Sequence, residues 1–578
     1  MAKNKITWLF ILIVLIYSSI CLYSCKNSNM EYLNMMDDGI ELSNEKTARE
    51  YLDTNSKEFF LESRGKQLDK NILSDINVRK AIFHAIDRER IVNELYGEYN
   101  QVLNSLFPAD SYYYSQSWAE YSYDIEKAKE YLKKAGYGTD NPLYITISST
   151  SDSDTKQVIE EMIKEDLSKI GIEIWILNSP SGEWYSDYVK KGNYELGLWS
   201  IYNFDESDLI NSFSSSKIPS METEENKNCY NFYWYKNTNV DSLLKTIENE
   251  VNIEKKKELI SNLQNIIASD AVILPLYSRI DVVAYNNKKI DSIDIKTINN
   301  KIHFDIENWV LNSDWQTNEN EVKEIIVGLN SEDYSLGSLF SRDFISNLVI
   351  RGLWEINEKG EYEKVLVEEA FIKEKSINGS ADAGMEVRVI LKDGIFWEDG
   401  SSITAEDVKY TYDTIKKNEN ILNIDKDYLK IDRIEVINEK EFNIVFKEKI
   451  KNWEKFFGII FPKDSMKGKD IINLKIEDIV ANGPYKVEEY KSQDYLLLKK
   501  NNFYFKEIPN VDYFRILFDT NFANLVNMLK NGEVDLLKVL FNLELVNELD
   551  DNNKGVDLFI KPGNYMEHLA ICLKPKEK

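Results

Sequence analysis

The stretch from Leu143 to Leu177 does most to limit the folds open to this chain. Two short runs rich in β-branched residues, Leu143–Ile147 and Ile172–Leu177, flank a segment around Val158–Ile170 with apolar residues at helical spacing. Strand, helix and strand in that order form an α/β pattern. The pattern extends both ways. Upstream, Asp75 can cap a helix carrying Val78, Ile82, Ala85 and Ile86 on one face. Asp124 can cap a second helix, with Ile125, Ala128, Tyr131, Leu132 and Ala135 as its stripe. Glu130 and Lys134 add an i,i+4 pair there, and Gly136 ends it. Downstream, residues 240–269 read as helical, and Ala271–Tyr277 and Asp281–Tyr285 as two strands.

Residues 312–320 read as a linker, after which the alternation begins again with a strand at Glu324–Gly328. Met385, Val387, Val389 and Leu391 alternate as one face of a strand. Thr404 and Asp407 have the spacing of a capping box, with Asp in the acidic position. Ile434–Ile437 and Phe442–Phe446 flank a polar turn and predict a hairpin. The 578 residues leave room for about three to five structural units.

Charge and motifs exclude several function classes. A net charge of −27 repels phosphate backbones, so nucleic acid is not expected as a partner. His84, His303 and His568 are the only histidines, too few for a His-rich metal site or an array of Ser-His chemistry. The chain has no GxGxxG, GxxxxGK[ST], HExxH, GxSxG or CxxC, so no cofactor and no metal is expected. A carboxylate pair of the glycoside-hydrolase kind is the one catalytic arrangement left open, and 98 acidic residues supply such pairs by chance.

The N-terminus has the order of an export signal. Lys3 and Lys5 precede an apolar run, Ile6–Ile16, and Leu22-Tyr23-Ser24-Cys25 follows. That tetrad resembles a bacterial lipobox, which implies a signal peptide over 1–24 and a lipid on Cys25. The alternative is an uncleaved anchor helix reaching to about Leu22. Either arrangement places the rest of the chain outside the cytoplasm. Cys229 and Cys572 remain, read as two separate, partly buried thiols.

A set of motifs then points to one family. Leu391-Lys392-Asp393-Gly394-Ile395-Phe396-Trp397-Glu398-Asp399-Gly400, followed by Ile403 to Val408, resembles the "LRdGvkFhDGtpltAeDV" signature of the extracytoplasmic peptide-binding proteins of ABC importers, solute-binding protein family 5. Asn482-Gly483-Pro484-Tyr485 resembles its "GTGPY" turn and Gly532-Glu533-Val534-Asp535 its "GeiD" segment. In the first half, Asp75 to Arg88 resembles "D.rVRkAi..AIDR", Asp124 to Tyr137 "yDpekAkelLkeAGy", and Asn231 to Leu244 "N...Y.NpevDaLl". The halves stand in exchanged order. Segments that come first in the family occupy 321–575 here, and those that come last occupy 74–311.

The resemblance implies a bilobal α/β periplasmic-binding-protein-like fold of the class II type with an extra domain, circularly permuted. The alternative is a fusion of two incomplete gene pieces. Carried onto this sequence, residues 25–73 become a tether with a short crossing strand at Tyr51–Asn55, and 74–270 a ligand-binding lobe. The other lobe combines 271–360 with 475–578 and carries 361–474 as the extra domain. Both Tyr51–Asn55 and Tyr565–Leu573 resemble the family's crossing strand.

The function implied is non-enzymatic capture of oligopeptides by a monomeric lipoprotein on the outer face of the cytoplasmic membrane. Its partners would be a peptide, an ABC permease and the ATPase subunits. A metal chelate or oligosaccharide is the alternative solute, and a surface carbohydrate-active enzyme the alternative class. The family's Asp that pairs with a peptide α-amino group corresponds to Asp205, which keeps a D-x-x-D spacing with Asp208 after Trp199. The competing reading of Asp205 is a surface carboxylate at a helix start. Trp184, Trp199 and Tyr202 are the candidate aromatic lining.

Overall fold

The computed structural model describes residues 59–65, 67, 72–202, 206–219, 229–298, 301–304, 306–317, 322–331, 344–357, 361–374, 384–418, 426–469, 474–508, 510–550 and 555–575. The export signal, Cys25, the crossing strand expected at Tyr51–Asn55, and Asp205 lie outside them. The chain divides into two compact units, Met1–Asp69 and Lys70–Lys578. In the first, residues 59–65 are helical. Everything below concerns the second.

Its first helices start where side-chain caps occur. The Asp75 carboxylate accepts from the Asn77 N–H at 2.8 Å and opens α1 (Ile76–Ala85). Such a cap contributes about 1 kcal/mol. The helix stops at Ala85, so Ile86, expected on its face, is the C-cap; it is buried nonetheless. Helix α2 (Arg88–Tyr96) follows, then α3 (Ile125–Lys134), capped by Asp124 as expected. Strands β1 (Leu143–Ser148) and β2 (Ile172–Ile176) pair in parallel across helix α4 (Asp154–Ser168), completing a βαβ unit. Strand β3 (Leu196–Tyr202) lies parallel to β1 on its other side. Helices α5 (Glu206–Phe213), α6 (Thr238–Asn249) and α7 (Ile253–Ser269) lead into β4 (Ile273–Asn286). The two strands expected at 271–277 and 281–285 are therefore one. The residues between them, Ser278 to Ile280, stay extended because a second long strand pairs along that length.

The stretch expected as a linker contains an anchor. The Asn312 side chain accepts from the N–H groups of Asp314 and Trp315 at 3.1 and 3.3 Å, starting a one-turn helix, Ser313–Gln316. Trp315 is buried, with the Lys289 and Lys323 ammonium groups 5.7 and 5.2 Å from its ring centre. Strand β5 (Glu324–Leu329) follows. Strands β6 (Val367–Glu374), β7 (Met385–Leu391), β8 (Ile431–Asn438) and β9 (Glu441–Phe446) form a separate antiparallel sheet in the order β6-β7-β9-β8. Its helix α8 (Ala405–Lys417) begins with the expected capping box between Thr404 and Asp407, and β8 and β9 form the expected hairpin.

The chain then returns to the main sheet. Gly483 precedes β10 (Tyr485–Lys491), and a Cβ there would meet the Leu348 carbonyl oxygen at 2.6 Å, so glycine is needed for this close approach. Strands β11 (Tyr495–Lys500) and β12 (Tyr513–Phe518), helix α9 (Phe522–Asn531), strand β13 (Leu536–Val539), helix α10 (Leu543–Leu549) and β14 (Val556–Ile571) complete the unit. The main sheet has ten strands in the order β10-β11-β12-β5-β13-β4-β14-β3-β1-β2.

That order places the cores. One core gathers Val78, Ile82, Leu132, Ile145, Leu196 and Ile267 with Leu274 of β4 and Leu569 of β14. A second gathers Val283 of β4 with Trp309, Ile325, Leu348, Phe514 and Leu536. A third lies under the four-stranded sheet, around Val387, Trp397, Phe442 and Phe456. The long strands β4 and β14 run antiparallel to each other and span from the first core to the second. This is the bilobal α/β arrangement. Cys229 and Cys572 are free thiols, and Cys572 is buried. Among the described residues no helix is long and apolar enough to cross a membrane.

Candidate ligand-binding site

Where the two lobe-spanning strands meet β3, the register decides which side chains share a face. Glu567 of β14 lies opposite Ser200 of β3 and Tyr277 of β4, and Tyr565 lies opposite Tyr202. Strand side chains alternate, so Ser200, Tyr202, Tyr565, Glu567, Tyr277 and Arg279 project to one side. The Glu567 carboxylate is almost fully buried. It accepts from the Ser200 hydroxyl at 2.7 Å and from the Arg279 guanidinium at 3.3 Å. The Lys156 ammonium, on the first turn of α4, stands 3.8 Å from its other oxygen. That oxygen accepts no hydrogen bond among the described residues.

Aromatic rings border this cluster. Tyr202 and Tyr565 meet edge-on with centres 5.7 Å apart, and the Arg279 guanidinium lies 5.8 Å from the Tyr565 ring. Tyr96 packs 4.9 Å from Tyr277 and 4.7 Å from Phe541. Burial pushes the Tyr96 phenol up to about 12 and raises that of Tyr277 as well, so both stay neutral. The loop 149–153 follows the C-terminal end of the parallel strand β1, where open α/β sheets form ligand crevices, and leads into the helix that carries Lys156. It is rich in hydroxyl groups, and Thr150 Oγ1 and Ser181 Oγ are 2.9 Å apart.

The opposite side of β3 and β14 is different. Trp199 stacks on Tyr233 at 5.8 Å and meets His568 edge-on at 4.9 Å. Trp184 lies 6.4 Å from Trp199 and 5.9 Å from Tyr194. The structure thus brings Trp184 and Trp199 together with buried aromatic residues and places Tyr202 on the other face, beside Tyr565. His568 is fully buried, and loss of hydration pushes its imidazole down to about 3, so it is neutral. The Tyr233 hydroxyl lies 3.2 Å from its Nε2.

Glu567, Arg279, Lys156 and Ser200 were not legible as site residues from motifs. One signal was present: a carboxylate inside the otherwise apolar run from Met566 to Cys572, next to a histidine. Among the described residues no group of three or more His, Cys, Asp or Glu could hold a metal ion.

The glutathione-binding protein GsiB of Escherichia coli K12 is 27% identical over 206 residues, which are 34% of this chain and 38% of that one. Heme-binding protein A of Haemophilus influenzae is 25% identical over 214 residues, 36% of this chain and 37% of that one. The chain spans less than two-fifths of the length of these curated relatives. Among solved structures, the oligopeptide-binding protein AppA from Bacillus subtilis in complex with a nonapeptide shares 24% identity, covering 37% of this chain and 44% of that one at a TM-score of 0.32. NikZ from Campylobacter jejuni in complex with Ni(L-His) shares 22% identity, covering 40% and 45% at a TM-score of 0.34. The family model described as "Bacterial extracellular solute-binding proteins, family 5 Middle" matches residues 28–220 and 375–576, more than half of the chain. The chain belongs to the bacterial extracellular solute-binding proteins, family 5.

Proposed function

We propose that this chain is an extracytoplasmic lipoprotein that captures oligopeptides between its lobes, without turnover, and delivers them to the permease of an ABC importer. Family membership supports capture of a solute. The observation that carries the reading is the pair of strands β4 and β14, which link two separate cores and set a polar and aromatic face at their crossing. Closure of two lobes over a ligand requires that the ligand bind the closed form better than the open one. A crossing that carries side chains from both lobes meets that need.

In this reading the family order is circularly permuted. Strand β4, from the first half, is inserted between β13 and β14, from the second, so each lobe draws on both halves. Strand β14 ends in the core built by residues 73–277, where an unpermuted chain would continue. Cys25 carries the lipid. Asp205 pairs with the peptide α-amino group, Tyr202 lines that end of the cleft, and Trp199 and Trp184 support it.

Native mass spectrometry of the purified chain identifies the copurifying solute, and calorimetry with the peptide found measures its anchoring. A peptide is expected, and Asp205→Asn weakens its binding by about tenfold or more, as loss of a charge-assisted bond does. Melting of the free protein changes little. A copurified chelate or oligosaccharide replaces the peptide reading. Turnover of a glycan, abolished by one carboxylate change, replaces the binding class altogether. Undiminished affinity in Asp205→Asn moves the anchor elsewhere.

A further inference from the structure

We propose that Lys451, in the domain built on the four-stranded sheet, is a positioning residue for solute retention: it closes the C-terminal end of α6 in the first lobe and so favours the closed form. This rests on the capture reading above, in which the two bodies part when the lobes open. Strands β4 and β14 already join the lobes, and the Lys451 contact is a separate bridge. Its ammonium group donates to the Glu248 carbonyl of α6, 203 residues earlier in the chain. Helix α6 belongs to the first lobe, since Val240, Leu244 and Ile247 are buried in its core.

Helix α6 needs a cation at that end and does not supply one. The last carbonyl groups of a helix lack intrahelical partners, and the helix dipole makes that end negative. The Glu250 N–H satisfies the Ile247 carbonyl at 3.2 Å. The last turn of α6 contains no basic residue, and Glu248 and Glu250 add negative charge there. Lys255 meets the Glu250 carboxylate at 2.7 Å. The cation at the Glu248 carbonyl comes from the other body.

Lys451 is fixed where this contact needs it. Ile450 and Trp453 are both buried in the core under the four-stranded sheet, and Lys451 between them is exposed. The two bodies approach at a second point. Glu361 lies in the turn of a hairpin formed by Trp354–Ile356 and Tyr362–Lys364, and Trp354 belongs to the same core as Ile450. Tyr112 packs on the core of the first lobe. The Glu254 carboxylate beside it pushes the Tyr112 phenol up to about 12, and the charge of Glu361 adds to that rise from the other body. Contacts made in only one of two states shift the equilibrium toward that state.

The test loads the full mature chain with a random tetrapeptide library and follows release after dilution by native mass spectrometry. Lys451→Gln is expected to speed release about two- to fivefold, the range for a cation at an exposed helix C-terminus, and to leave association and the melting of the free protein unchanged. Lys451→Arg keeps the slow release. Lys447→Gln is the control: Lys447 donates to the Leu429 carbonyl of its own domain at 2.6 Å, and its loss leaves release unchanged. Molar salt screens an exposed charge and brings release from the unaltered protein to that of Lys451→Gln. Equal release from the unaltered protein and Lys451→Gln overturns the bridge and leaves the peptide reading standing. An equal gain in Lys447→Gln makes the effect one of net charge and overturns the bridge too. Capture of no tetrapeptide overturns the peptide reading, and X-ray scattering of the unliganded protein then decides the bridge: a larger radius of gyration in Lys451→Gln supports it, and an unchanged one overturns it.

Discussion

Glu567 and Arg279 stand on the two strands that join the lobes, and their side chains meet 3.3 Å apart across the crossing. The strands are out of step just beside this contact. Pro562 lies opposite Ile280, and Met566 lies opposite Ser278, so β14 takes four steps where β4 takes two. The slack residues form a bulge, and proline is tolerated there because it need not donate to the ladder.

The bulge makes a specific demand on Gly563. A Cβ at this residue would lie 3.0 Å from the Arg279 carbonyl oxygen and 3.1 Å from the Asp281 carboxylate. Gly563→Val adds a branched side chain into that space and is expected to destabilise the protein by about 1–3 kcal/mol. Urea unfolding measures this, and an unchanged midpoint would mean that the crossing is looser than its backbone geometry implies.

His568 gives a signed pH dependence. Its folded value near 3 lies below the ordinary 6.5, so in that window the unfolded chain binds a proton that the folded protein refuses. Its contribution makes stability fall as pH drops from about 6.5 toward 3. His568→Phe loses the contact with the Tyr233 hydroxyl at every pH but removes this component. Between pH 6.5 and 5 the stability of the unaltered protein is expected to fall by about 2 kcal/mol more than that of the variant. Parallel pH profiles would show that the imidazole accepts a proton in place.

Each half needs the other. Strand β4 pairs on one side with β13 and on the other with β14, both from the second half. Residues 26–311 and 321–578 expressed separately each expose an unpaired strand edge and are expected to be poorly folded. The intact chain melts with loss of both cores. Two separately stable halves, each with its own cooperative melt, would contradict the permuted reading.

Lipid attachment is read from the apolar run that ends at Ser24-Cys25. Cys25→Ala is expected to abolish labelling by a radioactive fatty acid and to release the protein or leave it unprocessed. A single acyl chain binds membranes only reversibly, so release on partial delipidation is expected as well. Persistent labelling in the variant would place the lipid elsewhere.

Local features were legible in the sequence by itself. The caps at Asp75 and Asp124, the Thr404–Asp407 capping box, the β8–β9 hairpin and the α/β alternation each depend on residues within a few positions, and all appear in the structure. Tertiary structure decided what long-range pairing controls. It fused two expected strands into β4 by laying β14 along them, and it buried Trp315 of a polar stretch against two lysines. The pleat of β3 put Trp199 among buried aromatics and Ser200 with Tyr202 on the other face, a division that spacing from Trp199 alone does not disclose. Arg279 and Glu567 are 288 residues apart in sequence. They meet because two strands from opposite halves of the chain are hydrogen-bonded side by side, and no local pattern carries that information.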